Sequence, residues 1–233
     1  MATNSPRVVG EAISDGVGRI PGFVNSYTLR EGEEIYLIDT GIARKAKPIV
    51  KAFQSADVRI GQVRKILLTH YHIDHSGGAA YLLENTHAPV SCHAEDAPFV
   101  DGRVRPPLPL LMRLFVRIHP APVATVLTDG DRVGPLVVVH APGHTAGEVA
   151  FYHPGRKILF SGDAVTERKG HLTLPAPRFA ANLGQAVQSL ARLRALDVEL
   201  LLPGHGVPVT RNASALLDDL IRRAPTEFRP RSP

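Results

Sequence analysis

Among 233 residues the chain has one cysteine, Cys92, no tryptophan and two methionines. A lone thiol excludes an intrachain disulfide and any cysteine-rich zinc site, so a bound metal must be held by His and carboxylates. It also fits a reducing compartment. Long apolar runs are missing too: the most apolar stretch, Leu108 to Val116, is broken by Arg113 and is far short of a membrane span. Met1 to Ile20 lacks the apolar core of a signal peptide. A soluble, cytoplasmic protein with no membrane partner is therefore expected. There is no run of five like charges either. Lys and Arg number 27 against 22 Asp and Glu, a net +5, but the charges are scattered, so no nucleic-acid partner is expected. With no repeat, low-complexity tract or linker, the expectation is one domain over residues 1–233.

What is present reads as strands in two batches, each closed by helices. Val8 to Ile13, Phe23 to Leu29, Glu34 to Ile38, Val63 to Thr69 and Val90 to His93 are β-branched or apolar. Helices are expected at about Arg44 to Gln54 and Gly77 to Asn85. The second batch comprises Ala124 to Leu127, Leu136 to His140, Val149 to His153, Lys157 to Ser161 and Glu199 to Leu202, with helices at about Leu183 to Leu196 and Ala213 to Arg223. Two sheets with helices outside follow from that order. The stretch 103–122 stands apart: five prolines bracket Leu108, Leu110, Leu111, Leu114 and Phe115. It reads as an insertion, either a lid over a site or an interface for a homodimer.

The chemistry concentrates in His70-Tyr71-His72-Ile73-Asp74-His75, directly after the apolar Leu67-Leu68-Thr69. Residues two apart share a side only in an extended chain, so His70 and His72 can converge on one metal there. Asp74 and His75 fall on the turn toward Ser76-Gly77-Gly78. Three imidazoles and a carboxylate in six residues are a poor choice for packing and a good one for a metal. Three later segments each end an apolar strand with one ligand-type side chain: His144 in Pro142-Gly143-His144-Thr145, Asp163 in Ser161-Gly162-Asp163, and His205 in Pro203-Gly204-His205-Gly206. Together these are five imidazoles and two carboxylates on loops held by sheets.

With these four motifs in this order, and with Asp39-Thr40-Gly41 and Gly22-Phe23-Val24-Asn25 near the start, the sequence resembles the metallo-β-lactamase superfamily. The resemblance implies an α+β fold, an αββα sandwich of two mixed sheets with outer helices. It also implies two divalent metals, zinc first, with iron or manganese as alternatives. His70, His72 and His144 should hold the first; Asp74, His75 and His205 the second; Asp163 should bridge them. A metal-bridging hydroxide would be the nucleophile, and Asp74 would pass a proton to the leaving group.

The same residues separate branches. No cysteine lies in the motifs, which points away from lactamases with a thiolate ligand, and Asp163 points away from the branch that lacks the bridging Asp. His72 stands where the diiron flavoproteins carry Glu, and no segment resembles the RNA-gripping arm of the nucleases. What remains resembles the glyoxalase II and lactonase-like hydrolases, although no Tyr follows Tyr152 and few residues follow His205. The expected reaction is hydrolysis of a carboxylic ester, lactone or thioester of a small molecule. Alternatives are a mononuclear iron persulfide dioxygenase, a phosphodiesterase or a β-lactamase. His87, His93, His119, His140 and His153 read as surface or core residues, and Asp39 as a turn residue supporting the ligands.

Overall fold

The structure, a computed structural model, describes residues 7–42, 45–107 and 119–225. The helix start expected at Arg44, the apolar patch at 108–118 and the Pro- and Arg-rich end at 226–233 lie outside the described residues. The chain divides into two compact units, 1–126 and 127–233.

The first unit is built on a seven-stranded mixed sheet in sequential order, β1 to β7. Its strands are β1 (Glu11–Ser14), β2 (Val17–Ile20), β3 (Ser26–Glu31), β4 (Glu34–Ile38), β5 (Val63–Leu67), β6 (Val90–His93) and β7 (Val123–Leu127). The first four run antiparallel, and β4, β5 and β6 run parallel. Helix α1 (Lys47–Ser55) starts with Pro48 in its first turn, where the missing N–H costs nothing. It buries Ile49 and Phe53, one turn apart, against Ile35, Leu37, Ile66 and Leu68. Alternate residues of the same strands, Tyr36, Ile38 and Leu67, are buried as well, so the central strands are covered on both faces.

The helix expected over Gly77 to Asn85 is α3 (Ala79–Thr86), and the turn expected at Asp74 and His75 is a separate single helical turn, α2 (Ile73–Ser76). Gly77 and Gly78 lie between them, and a Cβ on Gly78 would sit 2.6 Å from the Thr40 carbonyl oxygen, so only glycine fits that close approach. A further single turn, α4 (Ala97–Val100), precedes the insertion. The ends of that insertion come back together, with the Ala121 amide donating to the Val100 carbonyl.

The second unit carries a five-stranded mixed sheet in the order β14-β11-β10-β9-β8. These are β8 (Arg132–Val133), β9 (Leu136–His140), β10 (Val149–His153), β11 (Ile158–Gly162) and β14 (Leu200–Pro203). β11 and β14 are parallel and the others antiparallel. A separate hairpin pairs β12 (Thr166–Arg168) with β13 (His171–Thr173). Helix α5 (Leu183–Arg194) is capped by Asn182, whose side chain accepts from the Gln185 amide. Its Val187, Leu190 and Leu193 pack with Leu217 and Leu220 of α6 (Ala213–Arg223) over Ala150, Leu159 and Leu201.

Candidate metal centre

In the first unit β5 stops at Leu67, two residues short of the expected Thr69, because the Thr69 amide donates to the Asp39 carboxylate instead of to a neighbouring strand. His70 to His72 then run outside regular structure, and His72 has φ −57° and ψ 143°. That extended path brings the rings of His70 and His72 to 4.8 Å, and the α2 turn returns His75 to 4.1 Å from His70. Asp74 follows, its Oδ2 4.0 Å from His75 Nε2. Four expected ligands thus form one cluster at the end of β5.

Asp39 organises this cluster from a left-handed conformation (φ 57°), one that Asp tolerates better than most residues. It is 2% exposed. Its Oδ1 accepts from the Thr69 amide, and its Oδ2 accepts from the Thr69 hydroxyl and from His75 Nδ1, each at 2.8 Å. The tautomers follow from the network. His75 carries its proton on Nδ1, which leaves the Nε2 lone pair for a cation. The Thr69 hydroxyl proton goes to Asp39, so His70 Nδ1, 3.1 Å from that hydroxyl, must be the donor, and His70 also presents Nε2. Thr40 holds the main chain here: its amide and hydroxyl both donate to the His75 carbonyl. Burial pushes the His72 pKa down to about 4, offset in part by Asp74, so the ring is neutral at physiological pH, the form in which an imidazole can bind a cation.

Tyr71 stacks on Phe99 at 4.4 Å and meets the His72 ring edge-on at 4.7 Å, and its amide donates to Asp96, a fully buried carboxylate. Cys92 is buried and its thiol is pushed up to about 12, chiefly by burial and then by Asp96, so it supplies no thiolate.

In the second unit Asp163 and His205 follow adjacent parallel strands, β11 and β14, and the Gly204 amide donates to the Gly162 carbonyl between them. His144 follows β9 on a turn fixed by the residues before α5: Asn182 and Ala181 donate their amides to the Gly143 and His144 carbonyls. Asp163 Oδ2 lies 3.6 Å from His144 Nε2 and 3.4 Å from His205 Nε2. Two donor atoms each about 2.1 Å from a tetrahedral cation stand about 3.4 Å apart. One carboxylate oxygen therefore sits at ligand-sharing distance from both imidazoles, the arrangement a bridging carboxylate requires. The donor set of each unit fits divalent metal.

Three supporting residues were not foreseen from sequence: Asp96, Glu148 and Glu167. Glu148, 0% exposed, accepts the Asp163 amide at 2.9 Å. The motif signal was present in Gly147-Glu148, a carboxylate leading into an apolar strand, but nothing in it pairs Glu148 with Asp163. The histidines read as bystanders behave so. His140 Nε2 donates to the Ala146 carbonyl, and His93 and His153 accept amides of Glu95 and Arg156 through Nδ1. His87 and His119 are exposed.

The fold and these clusters define a class. Residues 19–205 match the family model described as the metallo-beta-lactamase superfamily, and the chain belongs to that superfamily. It is a hydrolase of the metallo-β-lactamase fold, α+β with two mixed sheets, in a family that uses divalent metals. Among particular relatives, it is 29% identical to "Probable metallo-hydrolase YybB" of Bacillus subtilis over 88% of this chain and 89% of that one. It is 30% identical to "Acyl-coenzyme A thioesterase MBLAC2" of Homo sapiens, over 78% of this chain and 72% of the relative. The crystal structure of TTHA1623 in a di-iron-bound form superposes with a TM-score of 0.68 at 31% identity, covering 89% of this chain and 98% of that one. Among the described residues, no helix is long and apolar enough to cross a membrane.

Proposed function

We propose that the chain is a dinuclear metal hydrolase of small-molecule acyl thioesters and esters. In this reading His70, His72 and His144 hold one ion, Asp74, His75 and His205 hold the other, and Asp163 bridges them. The observation that carries it is the Asp163 oxygen standing at about a tetrahedral edge from two imidazole nitrogens, 3.6 and 3.4 Å away. The thioester preference is supported by the likeness to the human acyl-coenzyme A thioesterase.

Bound divalent ions supply Lewis acidity toward the carbonyl and a water acidic near pH ~7. The protein's part is to hold donors and to move a proton. Asp39 and Thr69 keep the Nε2 atoms of His75 and His70 unprotonated and aimed. Asp74, its side chain 20% exposed, is the carboxylate placed to take the proton of the attacking water and deliver it to the leaving thiolate or alkoxide. The apolar residues Leu108, Leu110, Leu111, Leu114 and Phe115 are proposed as the wall for the acyl chain or as a homodimer contact. Zinc is the proposed metal because imidazole-rich sites suit it, and iron is the second reading because TTHA1623 carries a di-iron pair.

The test is metal analysis of protein purified without added metal, followed by acyl-coenzyme A thioesters, aryl esters, lactones, phosphodiesters and β-lactams. Two ions per chain with thioesters and esters turned over fastest is the expected result. Rapid phosphodiester cleavage without ester or thioester activity, or one iron with oxygen consumption, would overturn it.

A further inference from the structure

We infer that Glu167 is a positioning residue for His205, locking the β12–β13 hairpin and the His205 loop into one rigid piece. The inference rests on the proposed metal role of His205. Glu167 lies in β12, opposite Leu172 of β13, and is 8% exposed. It uses both its main chain and its carboxylate. Its amide donates to the His205 carbonyl at 3.0 Å, and its Oε2 accepts the Val207 amide at 2.8 Å. The peptide groups on both sides of Gly206 are therefore fixed by a single residue, and with them the direction in which His205 leaves the main chain.

Gly206 is what makes the approach possible. Its φ is +97°, and a Cβ there would sit 2.2 Å from the Glu167 carbonyl oxygen and 2.6 Å from Oε2. The other carboxylate oxygen, Oε1, accepts the Gly170 amide at 2.6 Å. Gly170 and Lys169 form the hairpin's two-residue turn, both at positive φ (83° and 54°), as a type I′ turn requires. One side chain thus closes the hairpin with one oxygen and grips the His205 loop with the other. The hairpin's far strand is held in turn by Arg223 of α6, whose guanidinium donates to the Leu172 carbonyl. His205 needs such support because its side chain is 34% exposed, unlike the buried His144.

Glutamine is the informative substitution, since its amide has one oxygen and can accept from Val207 or Gly170 but not from both. Wild type, E167Q, H205A and the double variant are compared, with E199Q on the exposed Lys157 pair as control. In metal-free protein, hydrogen exchange at the Gly170 and Val207 amides should rise about tenfold or more in E167Q. Zinc titrated against a chelator should show one of two ions weakened by roughly 10–100-fold, the range for residues that orient a ligand. In the H205A background E167Q should cause no further loss of zinc affinity. Unchanged exchange at both amides would refute the lock. Faster exchange with unchanged zinc affinity, or equal weakening of both ions in step with a lower melting temperature, would refute positioning. If H205A alone keeps both ions at full affinity, the metal assignment fails and the positioning role with it, while the exchange data still read the lock separately.

Discussion

Replacing Asp39 by Asn tests the tautomer argument, because it keeps the shape and changes only which atoms can accept. In the native cluster the two carboxylate oxygens accept three hydrogen bonds, from the Thr69 amide, the Thr69 hydroxyl and His75 Nδ1. An asparagine can turn its oxygen toward Thr69 Oγ1 and His75, and its NH2 then faces the buried Thr69 amide, donor against donor. Leaving that amide unmet costs about 1–3 kcal/mol. Turned the other way, the NH2 donates to His75 Nδ1 and drives the proton to Nε2, which removes the lone pair a cation needs. The first orientation gives a loss near ~2 kcal/mol, or about 4–8 °C in melting temperature for a chain of this size, and the second acts on cation binding. Affinity for the ion held by His75 should fall about 10–100-fold. Calorimetry of the metal-free protein and a zinc titration against a chelator measure the two effects. Wild-type values for both in D39N would refute the proposed orientation of His75.

Asp163→Ala should lose at least one ion and most activity with the fold intact by circular dichroism, whereas His87→Ala, at an exposed helix end, should change stability by less than ~0.5 kcal/mol; equal damage from both would mean the site is misplaced. His72 has its folded pKa depressed to about 4 from an ordinary 6.5, so between those values the native metal-free protein binds fewer protons than the unfolded one. Its contribution to stability is thus present above pH ~6.5 and lost as pH falls toward ~4, and denaturant unfolding of His72→Gln should show a shallower slope over that window. Because the ends of the insertion meet at Ala121 and Val100, replacing residues 108–118 by a short Gly-Ser linker should keep both ions and change acyl-chain preference or oligomeric state; activity and size unchanged would remove that segment from the proposal.

The seven candidate ligands were legible because they are rare residue types gathered at the ends of apolar strands. Strands β4, β6, β9 and β10 and helix α6 fall where the apolar pattern puts them. What the pattern hides is polar or short. β2 carries Gly18 and Arg19 among its four residues, and β12 and β13 have three residues each, too few for alternation to show. The end of β5 and the close approach at Gly78 depend on Asp39 and Thr40, some thirty residues away in sequence and in contact through the fold alone. Glu148 and Glu167 look like ordinary surface charges in the sequence, and their burial shows once their partners are in place.

Those buried carboxylates share one physical task. Wherever a candidate ligand follows a strand end, the chain leaves the sheet and its amides lose their ladder partners. In the first unit Asp39 accepts the amide of Thr69 and Asp96 that of Tyr71, so the residues on either side of His70 are both held. In the second unit Glu148 accepts the amide of Asp163 and Glu167 that of Val207. A carboxylate is costly to bury, and charge-assisted hydrogen bonds from backbone N–H offset that cost. A neutral acceptor would fix the loops as well, but it would not add negative charge beside donors meant for a dication. The choice of Asp and Glu therefore does two things at once: it sets the ligand backbones before any ion arrives, and it makes the arrival of positive charge more favourable. Preorganised ligand geometry of this kind follows from the strand ends and their buried acceptors, not from the histidine motifs alone.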